Sequence, residues 1–588
     1  MRTRLLLVLA ICLAALTPAS AHAARSLLIT EQQTGRLGAY DLTREGVPTA
    51  FPGGTVASGE DAGGIAISPD ARFAFVANTG DNTVRSFAIG EDRTLTAVSA
   101  AVATGGTLPS AITVTPDGRR LLVAHRSGGT VSVFDIDQTT GALSPAALAQ
   151  AVGFDDVTSV AVARDGRYAY VTGRGPSGPP SSNADTRLGS LAINSNGTLT
   201  PLLGSPASFA GALGGFGLSI TPNGSRLYMT LIQAQAIRAF NLDTASGLGT
   251  GVAGSPFAAG AQTQQGFVTP DGKRLYANDS IGLKVLGYDL NPTTAAPTAI
   301  SGSPFATGAF NQPIAVALAP DGRTLFAAIQ KDPSSFQGFS VGTTGGLTAL
   351  PGSPFSGPGT FTGFYGAAIT PTQTPTGTIA VTAGEPGKPS SFAADTKVRG
   401  GFVTRYDWDF GDGTTIPDGA SSAVHTYAAA GTYTAKLTVT NDCDPDAVFV
   451  GGSVYTGRTT YCNGPRTATV EKSVVVSAPP TPTPTPTPAA FTVARAFTLP
   501  STKRCLKRPA RLTLSFRRPS GVTVDRVEVL VGSKRLVRRT GSAARKSVTL
   551  RKLPSKAFTL TIKVTPRGGK TVTTKRKYTV CKLAKKKR

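Results

Sequence analysis

The sequence predicts an all-β protein, and three observations predict it. First, a turn of the form Thr115-Pro-Asp-Gly118 flanked by runs of β-formers occurs in six variants, with Asp70, Asp117, Asp165, Asn223, Asp271 and Asp321 in the same place. The steps between them are 47, 48, 58, 48 and 50 residues. Second, apolar and polar residues alternate through much of the last 200 residues, as in Tyr433-Thr-Ala-Lys-Leu-Thr-Val439 and Phe558-Thr-Leu-Thr-Ile-Lys-Val564, the period of a half-buried strand. Third, glycine and proline are abundant, at 68 and 42 of 588 residues, and punctuate these runs as turn formers do.

Each repeat explains itself locally. Ile112-Thr-Val-Thr115 and Leu121-Leu-Val-Ala124 flank the turn. Pro116 presets φ, Asp117 bonds its own backbone and Gly118 accepts a positive φ, which makes a hairpin. Thr130-Val-Ser-Val-Phe-Asp135 and one further run follow it, so a repeat is four short antiparallel strands. Such a sheet cannot bury both faces alone, and copies must stack around an axis as the blades of a propeller. Ser26 to Leu42 reads as a blade lacking its first strand, and Phe364 to Pro371 as a first strand lacking the rest. Joined, they make a seventh blade and leave no open sheet edge.

The remaining segments follow in order. Met1-Arg-Thr-Arg4, an apolar run from Leu5 to Leu16 and Ala21-His-Ala23 read as a secretory signal peptide over residues 1–23, with Ala24 as the mature start. No later apolar run approaches twenty residues, so no membrane-spanning helix is expected. A secreted or cell-surface, extracellular protein is expected. Residues 24–372 are the propeller. Residues 378–477 carry Tyr406-Asp-Trp-Asp-Phe-Gly-Asp-Gly413 and, downstream, His425-Thr-Tyr427 and the strand from Tyr433 to Asn441. An insert separates Asn441 from Thr467. Residues 478–490 are a Pro/Thr linker, Pro479-Pro-Thr-Pro-Thr-Pro-Thr-Pro-Thr-Pro488, expected to be an extended polyproline II spacer of about 30 Å. Residues 491–588 read as a small basic β-sandwich.

Two resemblances stand on these motifs. Pro270-Asp-Gly-Lys-Arg-Leu-Tyr-Ala-Asn278 and Pro69-Asp-Ala-Arg-Phe-Ala-Phe-Val-Ala-Asn78 resemble the repeat of YVTN-type and lactonase-like seven-bladed propellers. Residues 378–477 resemble the PKD domain, an Ig-like β-sandwich, here expected to act as a spacer. The insert before Thr467 departs from that pattern. The first resemblance implies a fold that hosts hydrolases and plain binding scaffolds alike.

Cysteine and charge bear on compartment and partners. Cys12 leaves with the signal, and Cys443, Cys462, Cys505 and Cys581 remain. They fall two per domain in the last two domains, which favours Cys443–Cys462 and Cys505–Cys581 among the three pairings that four cysteines allow. Residues 491–588 hold 29 Lys and Arg against Asp525 and Glu528, a balance of +27. The whole chain carries +25, so the part before residue 491 sums to −2. An anionic polymer or a membrane surface is the expected partner of this end. Its cations are not interleaved with stacking aromatics, so no specific nucleic-acid partner is expected.

Hydrolysis would need a general base near the propeller axis. The propeller offers His125 and four glutamates, Glu31, Glu45, Glu60 and Glu91. His125 ends a strand where other copies have Asn78 or Asn278 and reads as a polar cap. No Gly-x-Ser-x-Gly, His-Glu-x-x-His or phosphate-loop motif is present, so no catalytic residue is assigned. The loops on one propeller face offer His125, Arg126, Asp155, Asp156, Arg174, Gln264, Gln265, Asn278 and Asp279. This amide-rich, mixed-charge set suits a glycan, a cell-wall polymer or a surface protein. The longest interval places extra residues between Gly173 and Arg187 on the same face. Asp407, Asp409 and Asp412 crowd one turn of the PKD-like segment. Acids so placed hold a turn through backbone amides, and neither a metal nor a cofactor is expected. The reading is an exported binding or adhesion protein of the cell surface. The alternative is an exported lactonase-like hydrolase.

Overall fold

A computed structural model of the chain describes residues 25–174, 186–209, 214–308, 312–330, 333–357, 359, 362–479, 490–507 and 510–581. The expected signal peptide over residues 1–23, residues 175–185 of the long loop, nearly all of the Pro/Thr linker and the tail from Lys585 to Arg588 lie outside the described residues. The described chain is almost wholly strand and turn, with helix confined to Val493–Ala496 and a 3-10 turn at Gly541–Arg545. It divides into two compact units, residues 1–479 and residues 480–588.

Seven four-stranded blades make up the propeller, five of them with a short extra outer strand. One blade shows the logic. Thr107–Val114, Arg120–Ser127, Thr130–Ile136 and Leu143–Ala151 pair in sequence order. At the first turn Asp117 Oδ1 accepts from Thr115 Oγ1 at 2.6 Å and from Arg119 N at 3.1 Å, and Gly118 takes φ +75°. A Cβ is strained at that φ, so glycine suits the site. Asp70, Asn223 and Asp271 repeat the side-chain bond, to Ser68, Thr221 and Thr269. Between blades, Phe75, Leu121, Val123 and Phe134 are fully buried; each such side chain contributes roughly 1.5–3 kcal/mol.

Ring closure is as expected. Arg25–Glu31 pairs with Arg36–Leu42 on one side and with Thr362–Ile369 on the other, so the two ends of the domain share a blade. The Gly-Ser-Pro-Phe repeats are outer-strand turns. Ser255, Ser303 and Ser353 accept backbone amides of the third strand through Oγ at 2.9, 2.9 and 2.8 Å, and the following Phe257, Phe305 and Phe355 begin the short outer strand. Gly204-Ser205-Pro206 is a fourth copy with Ala207 in place of the Phe; Ser205 Oγ accepts Ser190 N at 2.7 Å.

The second domain packs two sheets around Trp408, Phe410, Phe392, Tyr427, Leu437 and Val474. Trp408 is buried and donates Nε1–H to Ala420 O at 3.0 Å. The three crowded acids do hold the turn: Asp407 accepts from Asp418 N, Asp409 from Gly411 N and Asp412 from Thr414 N. Asp412 also lies 2.8 Å from His425 Nε2.

This domain, expected to act as a spacer, packs directly on the propeller. Its insert is tied by the Cys443–Cys462 disulfide and forms a small sheet of Ser453–Tyr455 and Thr460–Asn463, which Thr372–Gln373 joins from the propeller's exit. That sheet seats on the propeller where the inner strands end. Tyr461 Oη donates to Val268 O at 3.1 Å, and Tyr455 Oη lies 3.1 Å from Val114 O. Val162 N donates to Gly457 O, Ile220 N to Thr456 O, and Asp444 N to Pro320 O. Gln373 Nε2 reaches Pro69 O at 2.8 Å. With Arg25 of the closing blade, every blade is contacted, so the insert caps this end of the axis. The physical reason is burial: Val454, Tyr455, Tyr461, Cys443 and Cys462 are apolar or amphipathic and find cover only against the blades.

The second unit is a sandwich. Phe497–Thr498, Leu512–Phe516 and Val548–Leu550 face the four-stranded sheet of Lys534–Thr540, Val524–Val531, Phe558–Pro566 and Val572–Tyr578. The Cys505–Cys581 disulfide, beside a Leu506–Val580 bridge, ties its two ends.

Candidate functional site

The insert caps one end of the propeller, and the sequence-predicted site residues lie at the opposite end. Four side chains there occupy one ladder position near the end of the second strand; His125 does not end its strand as expected, because Arg120–Ser127 continues past it and pairs Ser127 with Thr107. Glu31 faces Thr362, Asn78 faces Ala62, His125 faces Pro109 and Asp279 faces Thr263. Asp279, not Asn278, is thus the counterpart of His125. All four are buried, and each ties loops together. Asp279 accepts from Ala261 N, Gln262 N and Gly282 N at 3.0, 2.8 and 3.1 Å. Asn78 accepts from Ser58 Oγ at 2.7 Å and donates to Thr83 Oγ1 at 2.9 Å. Glu31 accepts from Thr34 Oγ1 at 2.6 Å and Ser334 Oγ at 3.0 Å. Burial pushes its carboxyl up even so.

His125 is fully buried, with Nδ1 3.2 Å from Thr130 O and 3.1 Å from Thr130 Oγ1. Burial depresses its pKa to about 4, and the Thr130 carbonyl only partly offsets this. No arginine bonds it among the described residues. It is therefore a buried, neutral side chain within its strand at pH 7 rather than an accessible base. The unfolded chain, with a pKa near 6.5, takes up the proton first as pH falls, so this residue's contribution is complete above about pH 6.5 and gone by about pH 4. The full difference is about 3 kcal/mol. We predict that His125→Asn, which installs the side chain found at this position in the first blade, removes that part of the acid sensitivity. Urea unfolding at pH 7.5 and pH 5 checks it; equal losses of stability in both proteins would refute the assignment.

The other predicted residues divide. Asn278 is buried, donating Nδ2–H to Pro313 O at 2.8 Å and to Gln264 Oε1 at 3.2 Å, while its Oδ1 accepts from Gln265 N at 2.8 Å. Gln264 and Gln265 are buried with it, and Asp156 is buried in the third blade. Six of the nine thus face inward; the amide cluster stabilises the blades instead of offering a polar surface. Arg126 and Asp155 are exposed. The backbone of Arg174 pairs with Thr186, and its side chain lies outside the described residues. Among the described residues no three His, Cys, Asp or Glu side chains are grouped to hold a metal.

Sequence reasoning missed the ionic cluster at the capped end. Arg25 places Nη1 2.7 Å from Asp321 Oδ2 and Nη2 2.7 Å from Asp442 Oδ2, with the three side chains 3%, 10% and 7% exposed. Burial opposes the charge on Arg25, but Asp442 and Asp321 outweigh it and hold its pKa up. Burial pushes Asp442 up, and Arg25 pulls it back. The only sequence signal was the unusual length of the insert, which gives no hint of its target.

Comparisons with known proteins agree with this architecture. Residues 36–155 match the family model of the lactonase seven-bladed β-propeller, and residues 370–448 match that of the PKD domain. A candidate 6-phosphogluconolactonase from Bacteroides uniformis has a similar structure, with 18% identity and a TM-score of 0.50 over 59% of this chain and 99% of its own. The periplasmic gluconolactonase of Pseudomonas aeruginosa has 17% identity and a TM-score of 0.49, over 59% and 99%. A search of curated proteins finds no match. The likeness establishes the fold alone.

Proposed function

We propose that this is an exported, modular binding or adhesion protein of the cell surface, held to an anionic polymer by its basic C-terminal sandwich. The capped propeller is the scaffold, and the end opposite the cap, with Arg126 and Asp155 exposed, meets a glycan, cell-wall polymer or surface protein. The charge distribution carries this reading: residues 491–588 balance to +27, the rest of the chain to −2. A field of one sign on one domain attracts polyanions and steers association. The attraction weakens as salt shortens the Debye length from about 10 Å at 0.1 M to about 3 Å at 1 M. The expected result is that the full chain binds anionic cell-wall material at 0.1 M salt and is released toward 1 M, while a chain ending at Pro479 does not bind at either. Equal binding by the shortened chain, or salt-independent binding, overturns the reading.

A second reading, a lactonase-like hydrolase, is favoured by the family match over residues 36–155. Turnover of a sugar lactone that is abolished by both His125→Asn and Glu31→Gln, in folded protein, would establish it in place of the first.

A further inference from the structure

Exposed cations occur on several sides of the C-terminal domain, and one group of them lies in register on a single sheet face. In the four-stranded sheet, Val527, Val529, Leu560, Ile562 and Val564 point into the core. The alternate residues point out, and the register places them in rows. Arg538, Glu528, Lys563 and Thr573 lie across from one another in one row. Arg535, Leu530, Thr561 and Lys575 form the next, and Thr559 with Lys577 continues it. On the other side come Thr540, Arg526 and Thr565. Six cations on this face are exposed, Arg526, Arg535, Arg538, Lys563, Lys575 and Lys577. The one acid, Glu528, is engaged by Arg538 Nε at 3.3 Å. Strand geometry sets the spacing: about 4.8 Å between rows of neighbouring strands and about 7 Å between alternate residues along one.

Resting on the anchor reading above, we infer that this outward sheet face is the docking surface, and that its partner is a linear acidic polysaccharide. Charge complementarity requires a polyanion, and a flat face suits an extended one. Threonine decides between polyanions. Thr559, Thr561, Thr565 and Thr573 alternate with the cations, so the face presents hydroxyls between charges. Sugar hydroxyls satisfy these while carboxylates meet Arg and Lys; Arg in addition grips carboxylate in a fork. A bilayer is disfavoured because membrane-surface binders bury exposed Trp, Phe or Leu. Among the described residues, the exposed large hydrophobic side chains all precede residue 480. A nucleic acid is disfavoured because no aromatic ring stands on this face to stack a base.

The test uses full-length protein and polygalacturonate as the probe. The triple variant Lys563→Gln, Lys575→Gln, Lys577→Gln removes three charges from the face. The control Lys546→Gln, Arg551→Gln, Lys556→Gln removes three exposed charges from elsewhere in the domain. Circular dichroism confirms that both fold. The expected result is a loss of tenfold or more for the face variant and less than threefold for the control. Equal losses overturn the docking face while leaving the anchor reading intact; no binding by the unaltered protein to any polyanion overturns the anchor reading itself. Thr561→Val with Thr573→Val should weaken binding to polygalacturonate more than to polyphosphate, and equal effects overturn the choice of a sugar polymer. Preferential binding to phosphatidylglycerol vesicles, lost in the face variant, would identify a membrane instead.

Discussion

Arg25→Met should destabilise the propeller and PKD unit by about 3–5 kcal/mol, the range for removing one partner of a buried ion pair. Arg25 is the only cation bonded to Asp442 among the described residues, and its two carboxylate partners are nearly sealed from water. Without it the buried Asp442 loses the charge that pulls its pKa back, and burial favours its protonated form. A carboxyl whose folded pKa is raised contributes stability that is present below its unfolded pKa and lost as pH rises through the folded one. The gap between variant and parent should therefore be wider at pH 8 than at pH 5. Denaturant unfolding at both pH values measures this. A loss below about 1 kcal/mol, or a gap that widens toward acid, would show that the cluster does not join the two domains. Because Arg25 sits on the closing strand of the ring and Asp442 at the root of the insert, the variant should also expose the insert to protease before the blades melt.

Replacing Cys505 and Cys581 together by Ala should cost the C-terminal domain about 4–5 kcal/mol. The bridge closes a loop of sequence separation 76, and the chain-entropy estimate for such a loop is about 4.5 kcal/mol. That is a large share of the stability of so small a domain, whose core is the single cluster around Val527, Leu560 and Tyr578. The two residues lie at the domain's edges and hold Leu506 to Val580, so their loss should fray both ends at once. Thermal unfolding with and without reductant reads the effect. The Cys443–Cys462 bridge spans only 19 residues and should contribute less, about 3 kcal/mol. If reduction leaves the melting of the C-terminal domain unchanged, the entropic account fails.

How far the fold was legible follows from the range over which each interaction acts. The blades could be read because their determinants are local. Thr115, Asp117 and Gly118 make their turn from residues five positions apart at most, and strand alternation is set by the pleat. The seventh blade was legible because its two halves are complementary fragments of one pattern. The charge of the last domain is a matter of counting, and the alternation from Phe558 to Val564 marked a half-buried strand; which cations share a face with Lys563 was decided by the strand register.

Tertiary structure alone decided three things. It turned polar residues such as Asn278, Gln264 and Asp279 inward, because loop amides at the blade ends need partners and these side chains supply them. It brought the PKD insert onto the propeller axis, since Tyr455 and Tyr461 meet carbonyls nearly 200 to more than 300 residues away, a pairing that no periodicity records. And it set Arg25 between Asp321, read from sequence only as a turn residue, and Asp442, three charges that become interdependent only when burial removes the water that would otherwise screen them.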